Sequence, residues 1–180
     1  YPYKKKFTKL AVVPTTAGSG AEVTSNAVIY IGNTKYSFES NLLVPDYFFL
    51  MPELLISSSK KIKASAGFDA IAQSVESLVS KKSNLKSVNF ASKSLEISIK
   101  SFEDYLKKPT LYNAGKMSIA SHLAGKAINI SKTTAPHAAS YPFTSFFNIS
   151  HGHAVSLFFE KFFEYNYKNI KNSKTNFDLS

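Results

Sequence analysis

The stretch at residues 67–76 constrains the fold more than any other, because it predicts a helix whose core contacts and candidate chemistry lie on separate faces. Asp69, Gln73 and Glu76 stand at i, i+4 and i+7 and share one face. A carboxylate and an amide oxygen one turn apart can bind one cation there, although on a helix taken alone the same spacing is more often that of a solvated polar face. Apolar residues recur with helical spacing on the neighbouring face: Phe68, Ile71, Ala72, Val75, Leu78 and Val79.

The composition is that of a globular protein. With 180 residues, 44% apolar and 14% aromatic, the chain is long enough for one large domain or two small ones. No apolar run approaches the roughly 20 residues that span a bilayer, and the first residues lack the apolar core of a signal peptide. Cysteine is absent, which excludes disulfides and thiolate metal sites. We therefore expect a cytoplasmic protein with no membrane partner.

The formal charge of +10 raises the question of nucleic-acid binding. All 22 basic residues are lysine, whereas base readout and bidentate phosphate recognition depend largely on arginine. The lysines are also spread from Lys4 to Lys174 rather than gathered on one helix face. The charge is better explained as general surface, and we expect no nucleic-acid partner.

The order of elements predicts an α/β edge followed by an all-α helical domain. β-branched and aromatic runs predict strands at Leu10–Val13, Ala27–Ile31 and Tyr47–Leu50. Helical periodicity begins at Pro52, which suggests domains at residues 1–51 and 52–167, with a poorly ordered tail at 168–180. After the helix described above, further helices are predicted at residues 85–106 and 113–130, from Pro136, and from His151 after a short loop.

The loop between the first two predicted strands, residues 15–22, is rich in glycine and hydroxyl groups. Thr15, Thr16 and Ser19 offer hydroxyl groups to a phosphate or carbonyl oxygen, and Gly18 and Gly20 let a ligand approach the backbone. The loop matches neither the Walker pattern nor the six-residue dinucleotide fingerprint. Taken alone, it is equally consistent with a plain hairpin loop.

Three of the four histidines lie between residues 137 and 153. His137 and His151, together with Asp69, form a ligand set suited to a first-row divalent metal. Each histidine could instead cap or pack at the start of a helix. His122 is interpreted as a surface or satisfied core histidine, and His153 as an exposed residue or one that supports a ligand.

These segments together resemble the iron-containing, or group III, alcohol dehydrogenases, which are relatives of dehydroquinate synthase. The resemblance runs from about Leu10 to Tyr165. Four segments carry it, in order: residues 14–24 (PTTAGSGAEVT), 67–76 (GFDAIAQSVE), 124–127 (AGKA) and the histidine segment from 137 to 151. The implied fold is the central part of that family's fold, so we expect the chain to be a fragment of such an enzyme.

The resemblance implies a metal site. Asp69, His137 and His151 match three ligands of the family, and Gln73 stands where the family has a histidine. An amide oxygen is a harder and weaker donor than imidazole, so Gln73 could ligate directly or through a water. The family's metal is a divalent ion, Fe²⁺ foremost with Zn²⁺ as the alternative. Thr15, Thr16 and Ser19 match the loop that lies along NAD or NADP.

One branch, the phosphonoacetaldehyde reductase group, is more similar still, on the string at residues 132–141 (KTTAPHAASY) and on Gln73. This resemblance implies reversible reduction of a small aldehyde by a homodimeric enzyme, with an aldehyde that bears a phosphonate as the specific candidate. Lys132 would approach the anion and Tyr141 would lie near the substrate. The alternative from another class is an inactive remnant that folds, and at most binds or dimerises.

Overall fold

In the computed structural model, which describes residues 5–32 and 34–169, short strands come first along the chain and helices follow. Strand β1 (Ala11–Val12) pairs in parallel with β4 (Tyr47–Phe48). Strands β2 (Asn26–Ile31) and β3 (Thr34–Glu39) form a separate antiparallel hairpin. The α/β edge followed by an all-α region, predicted from the sequence, is confirmed.

The arrangement of the strands differs from the sequence prediction. β1 and β2 lie in different two-stranded sheets, so the glycine-rich loop between them is not a hairpin loop. The hairpin partner of β2 is β3, which was not predicted although Tyr36 and Phe38 alternate with polar residues there. The predicted strand at residues 47–50 is shorter in the structure, where β4 ends at Phe48.

The helices agree closely with the periodicity of the sequence. Their bounds in the described part of the chain are α1 Glu53–Ile56, α2 Lys60–Val79, α3 Leu85–Lys107, α4 Leu111–Ser131, α5 Ala135–Phe147 and α6 His151–Lys168. The predicted helix after Pro136 and the predicted helix from His151 are both confirmed. None of these helices is long and apolar enough to cross a membrane. The tail predicted to be disordered lies outside the described residues from position 170 onward.

Side-chain caps explain where three helices begin. Ser59 accepts a hydrogen bond from the backbone of residue 62 at the start of α2. Asn84 and Ser87 form a reciprocal capping box at the start of α3, and Thr110 and Asn113 form one at the start of α4. Each cap satisfies backbone N–H groups that the first helical turn leaves without partners.

The helices approach closely because small residues fill their contacts. α2 packs against α3, α4 and α6, while α5 packs on α6. Three alanines on α4 are fully buried and permit close approach of the neighbouring helices: Ala120, Ala124 and Ala127. Buried serines add hydrogen bonds between helices: the Ser74 hydroxyl donates to Ser94 at 2.8 Å, and Ser94 donates to the Ala120 carbonyl at 2.7 Å. A buried hydroxyl is tolerated here because it has a partner.

Two glycines allow the segments that carry candidate site residues to pack directly on these helices. Gly20, with φ of 60°, lies on α4 so closely that a Cβ there would overlap the backbone of Gly125. At the start of α6, a Cβ on Gly152 would overlap the Ser65 carbonyl oxygen of α2. The position of His151 relative to α2 therefore depends on the absence of a side chain at residue 152.

We predict that Gly152→Ala destabilises the chain by about 1–3 kcal/mol, because the added methyl forces α6 away from α2. The measurement is the free energy of unfolding in denaturant. Gly115→Ala is the matched control, since its Cβ would lie 3.5 Å from the Pro52 side chain, an ordinary contact. As an alanine inside α4 it should stabilise by about 0.5–1 kcal/mol. Equal stability of the two variants would contradict the predicted close packing.

Candidate metal site and cleft

The polar face of α2 is buried, not solvated. Asp69 is 4% exposed, Gln73 3% and Glu76 2%, whereas Phe68 and Val75 of the neighbouring apolar stripe are only partly buried. The interpretation of these residues as an ordinary solvated face is therefore wrong. α6 packs along α2, and the start of α5 brings a histidine onto this face. Burial of two carboxylates requires partners, and the structure supplies them.

Two histidines from later helices converge on Asp69. The Asp69 Oδ1 atom lies 3.1 Å from Nε2 of His137, which is in the first turn of α5, and 3.7 Å from Nε2 of His151, which begins α6. One donor atom from each of the three residues lies within 4.8 Å of the others. The His151 side chain is 41% exposed, so the cluster opens toward solvent on one side.

Glu76 fixes the orientation of His137. The His137 Nδ1 atom donates to the Glu76 carboxylate, which leaves Nε2 directed at Asp69. Glu76 also accepts from the backbone N–H and the hydroxyl of Thr134, the N-cap residue of α5. A carboxylate behind a ligating imidazole sets its tautomer and raises its basicity. Sequence analysis placed Glu76 on this face but gave it no role, because its partners come from 58 and 61 residues away.

The charge of His137 follows from these contacts. Burial opposes the positive form and lowers its pKa, but hydrogen bonds to Asp69 and Glu76, together with their charges, outweigh burial and raise the pKa to about 9. In the metal-free protein the ring therefore holds both protons near neutral pH, one directed at each carboxylate. A metal ion that binds Nε2 must displace one of them.

The hydrogen bonding of the Gln73 amide indicates that the cluster suits a cation. Its Nε2 atom donates to Asp69 Oδ2 at 3.0 Å, so its Oε1 atom is turned the other way. That oxygen is buried and has no hydrogen-bond partner among the described residues. An unpaired buried acceptor costs about 1–3 kcal/mol. Direct ligation of a divalent cation, or contact with a water on that cation, would satisfy it, so the donor set of one carboxylate, two imidazoles and one amide oxygen fits a metal.

The cluster lies at the wall of a cleft of about 380 Å³. Of the residues with predicted roles, Ser19, Lys132 and Tyr141 line the same cleft, together with Asp69, Gln73, His137 and His151. The Tyr141 ring stacks on His151, with centroids 6.1 Å apart and planes 13° apart. Thr15 and Thr16 are exposed and do not line this cleft.

Lys132 is in a conformation that lysine rarely adopts. It ends α4 with φ of 61° and ψ of 171°, a region that is almost restricted to glycine. Its ammonium group forms an ion pair with Glu39 of β3 and donates to the Asn129 carbonyl oxygen at 3.3 Å. Glu39 and Asn129 also line the cleft, and sequence analysis missed both. The alternation of polar and aromatic residues along β3 could have predicted a strand that ends at Glu39.

The other two histidines have ordinary roles. His122 is buried on α4, where its Nδ1 atom lies 3.1 Å from a carboxylate oxygen of the buried Glu22, so its interpretation as a satisfied core histidine is confirmed. This pair joins the end of the glycine-rich loop to α4. His153 is exposed and lies outside the metal cluster.

Comparison with known protein families assigns most of the chain. The sequence profile described as "Fe-containing alcohol dehydrogenase family, C-terminal" matches residues 63–177, and the profile "Iron-containing alcohol dehydrogenase" matches residues 1–52. The first match alone covers more than half of the chain. The two matches follow each other along the sequence in the order of the α/β edge and the helical region.

Characterised relatives and solved structures agree. The chain is 30% identical to 4-hydroxybutyrate dehydrogenase of Clostridium kluyveri, covering 92% of this chain and 46% of that protein. It is 29% identical to phosphonoacetaldehyde reductase of Streptomyces viridochromogenes, covering 88% and 41%. The structure of sulfoacetaldehyde reductase from Bifidobacterium kashiwanohense in complex with NAD⁺ superposes with a TM-score of 0.86 at 32% identity, covering 89% and 44%.

The chain therefore spans about half the length of the relatives it matches. The matched half contains the Asp–His–His cluster and the cleft beside it. On the family profiles and the shared fold, this chain belongs to the iron-containing alcohol dehydrogenase family.

Proposed function

We propose that this chain forms the metal-binding part of an oxidoreductase that interconverts a small anionic aldehyde and its alcohol with NADH or NADPH. The observation that carries the proposal is one cleft that contains both a metal donor set and a strained lysine. Among anionic aldehydes, one bearing a phosphonate is our specific candidate.

The donor set supports the first half of the proposal. Asp69, His137 and His151 would hold a divalent ion, with Gln73 Oε1 as a fourth donor or as a partner of a bound water. Such an ion supplies a Lewis acid that stabilises negative charge developing on the carbonyl oxygen. The protein residues contribute orientation: Glu76 keeps Nε2 of His137 directed into the cluster, and Tyr141 stacks on His151. Fe²⁺ is our first candidate, and Zn²⁺ suits the same donors.

Lys132 supports the second half of the proposal, that the substrate carries an anionic group. Among the described residues, Lys132 is the lysine that lines this cleft. Its ammonium group would pair with a phosphonate as a point charge. Its backbone strain, on the order of 1–3 kcal/mol, is retained at a residue that faces the cleft. The names of the three relatives described above denote substrates with a carboxylate, a phosphonate and a sulfonate, so an anionic group is common to these three.

The glycine-rich loop at residues 15–22, between β1 and β2, is our candidate for contact with the nicotinamide cofactor. Ser19 lines the cleft, and Gly20 holds the loop against α4. The hydroxyls of Thr15 and Thr16 lie on the exposed side of the same loop, where a cofactor would have to lie along the surface to reach them. The solved relative bound to NAD⁺ supports a nicotinamide cofactor for this chain too.

We predict that His151→Ala removes most of the bound metal, because losing even a hydrogen-bond partner of a ligand costs about tenfold to a hundredfold in affinity, and losing the ligand itself costs at least as much. Metal content after purification without chelators is the measurement, with activity as a second readout. The matched control is His153→Ala, two residues along the same helix and exposed. Full metal content in the His151 variant would show that this residue is not a ligand.

Metal affinity should rise with pH up to about 9, because the metal must displace the proton that Asp69 and Glu76 hold on His137. For the metal-free protein the sign is opposite: the raised pKa stabilises the fold below the ordinary value of about 6.5 and the effect disappears as pH passes about 9. Calorimetry in buffers of different ionisation enthalpy measures the released proton. A pH-independent affinity across this range would contradict the arrangement.

Lys132→Gly should stabilise the fold by about 1 kcal/mol, since glycine adopts this backbone conformation without strain, and should remove the preference for phosphonoacetaldehyde over butanal. The measurements are denaturant unfolding and the two ratios of kcat to KM. Lys108→Gly is the matched control, because Lys108 also ends a helix but has φ of −144°. It should leave selectivity unchanged and confer no stabilisation. Unchanged selectivity in the Lys132 variant would refute the proposed substrate class.

A further inference from the structure

We propose that Glu39 is a resident counterion of Lys132, which the anionic group of the substrate displaces, so that Glu39 sets how strongly the cleft prefers dianionic over neutral aldehydes. The proposal rests on the proposed function, because it concerns the same cleft and the same lysine. It adds a specificity-determining residue on the β2–β3 hairpin, a part of the chain to which neither the metal donors nor the cofactor loop belong.

The first support is the position of the pair. Glu39 and Lys132 are 93 residues apart in sequence, yet their side chains form an ion pair and both line the cleft. The other carboxylate lining the cleft in the described residues is Asp69, which is buried against His137. Glu39 is therefore the carboxylate that an incoming anion at Lys132 would meet. Two like charges at one ammonium group repel each other, which favours the departure of one of them.

The second support is that Glu39 can leave. Its side chain is 56% exposed, so the released carboxylate passes directly into water rather than into an apolar interior. An exposed ion pair of this kind is weak, because solvent screens it and both long side chains lose freedom. The Lys132 hydrogen bond, followed by the charges of Lys132 and Lys82, lowers the pKa of Glu39 against the opposing effect of burial, so the carboxylate is ionised at neutral pH.

The third support is that Lys132 stays in place when Glu39 moves. Its ammonium group also donates to the Asn129 carbonyl oxygen, and its backbone N–H donates to the Ile128 carbonyl oxygen at 2.9 Å. Hydrogen bonds to α4 therefore hold the Lys132 side chain in place without Glu39. Displacement exchanges one anion for another at a fixed cation, which needs only a side-chain rotation on the hairpin.

The fourth support is a second donor beside the lysine. The Asn129 Oδ1 atom accepts from both the backbone N–H and the hydroxyl of the buried Ser25, at 2.8 and 2.9 Å. Because a backbone N–H can only donate, the amide orientation of Asn129 is settled, and its NH₂ group lies on the side away from Ser25. Ser25 also ties the hairpin, since its carbonyl oxygen accepts from Ser40 N–H at 2.8 Å. These hydrogen bonds fix the Asn129 amide beside Lys132, and its NH₂ group is the second donor for an arriving anion.

The test uses Glu39→Gln in the metal-loaded enzyme, with KM measured for phosphonoacetaldehyde and for butanal. Removing an exposed competing charge should lower KM for phosphonoacetaldehyde by about two- to fivefold and leave KM for butanal unchanged. Glu96→Gln is the matched control: Glu96 also pairs with a lysine, Lys100, but on the solvated face of α3. It changes net charge equally and should alter neither KM.

Several outcomes would overturn the inference. A KM for phosphonoacetaldehyde that is unchanged or higher in Glu39→Gln would show that Glu39 aims the lysine or does nothing. An equal change for both aldehydes would show a structural role, and an equal effect of Glu96→Gln would show a general charge effect.

Failure of the proposed function is distinguishable. If the unsubstituted enzyme does not prefer phosphonoacetaldehyde, the substrate class is wrong, and inorganic phosphate binding by calorimetry then tests Glu39 alone. Tighter phosphate binding in Glu39→Gln than in Glu96→Gln would uphold the displaceable counterion, and equal binding would refute it.

Discussion

The arrangement of the site depends on one buried hydrogen-bonded chain, in which His137 lies between the carboxylates of Glu76 and Asp69. Two carboxylates cannot be buried on one face of α2 without partners, because each would lose its hydration. The imidazole supplies a partner to both, and Thr134 gives Glu76 two further donors. The start of α5 is therefore fixed on α2 by charge and hydrogen bonding more than by apolar contact.

Small residues allow the other parts of the site to approach α2 and α4 closely. Gly152 lets the first turn of α6 lie directly on α2, and this close approach brings His151 to Asp69. On the other side of the cleft, Gly20 and Gly125 let the cofactor-loop candidate lie on α4. The alanine and serine contacts between α2, α3 and α4 act in the same way. Backbones held this close leave little freedom for the donor atoms, which is the preorganisation that a metal site requires.

The two ends of the cleft have different electrostatic character. At the metal end, acidic and imidazole groups are buried and locked by hydrogen bonds. At the other end, Lys132 and Glu39 are partly exposed and joined by an ion pair that solvent weakens. In the proposed reaction, the rigid end would hold the carbonyl oxygen, and the exchangeable end would hold a substrate group that enters and leaves. The strained backbone of Lys132 belongs to this second end.

The sequence by itself determined the main helices, their order, and the residue types of the candidate metal donors, because helical periodicity and ligand chemistry are local properties. Only the tertiary structure decided that the polar face of α2 is buried, that Glu76 is a partner of His137, and that Glu39 faces Lys132. These contacts join residues 58 to 93 positions apart. Burial and long-range pairing arise from how elements pack, and no local pattern of residues specifies that packing.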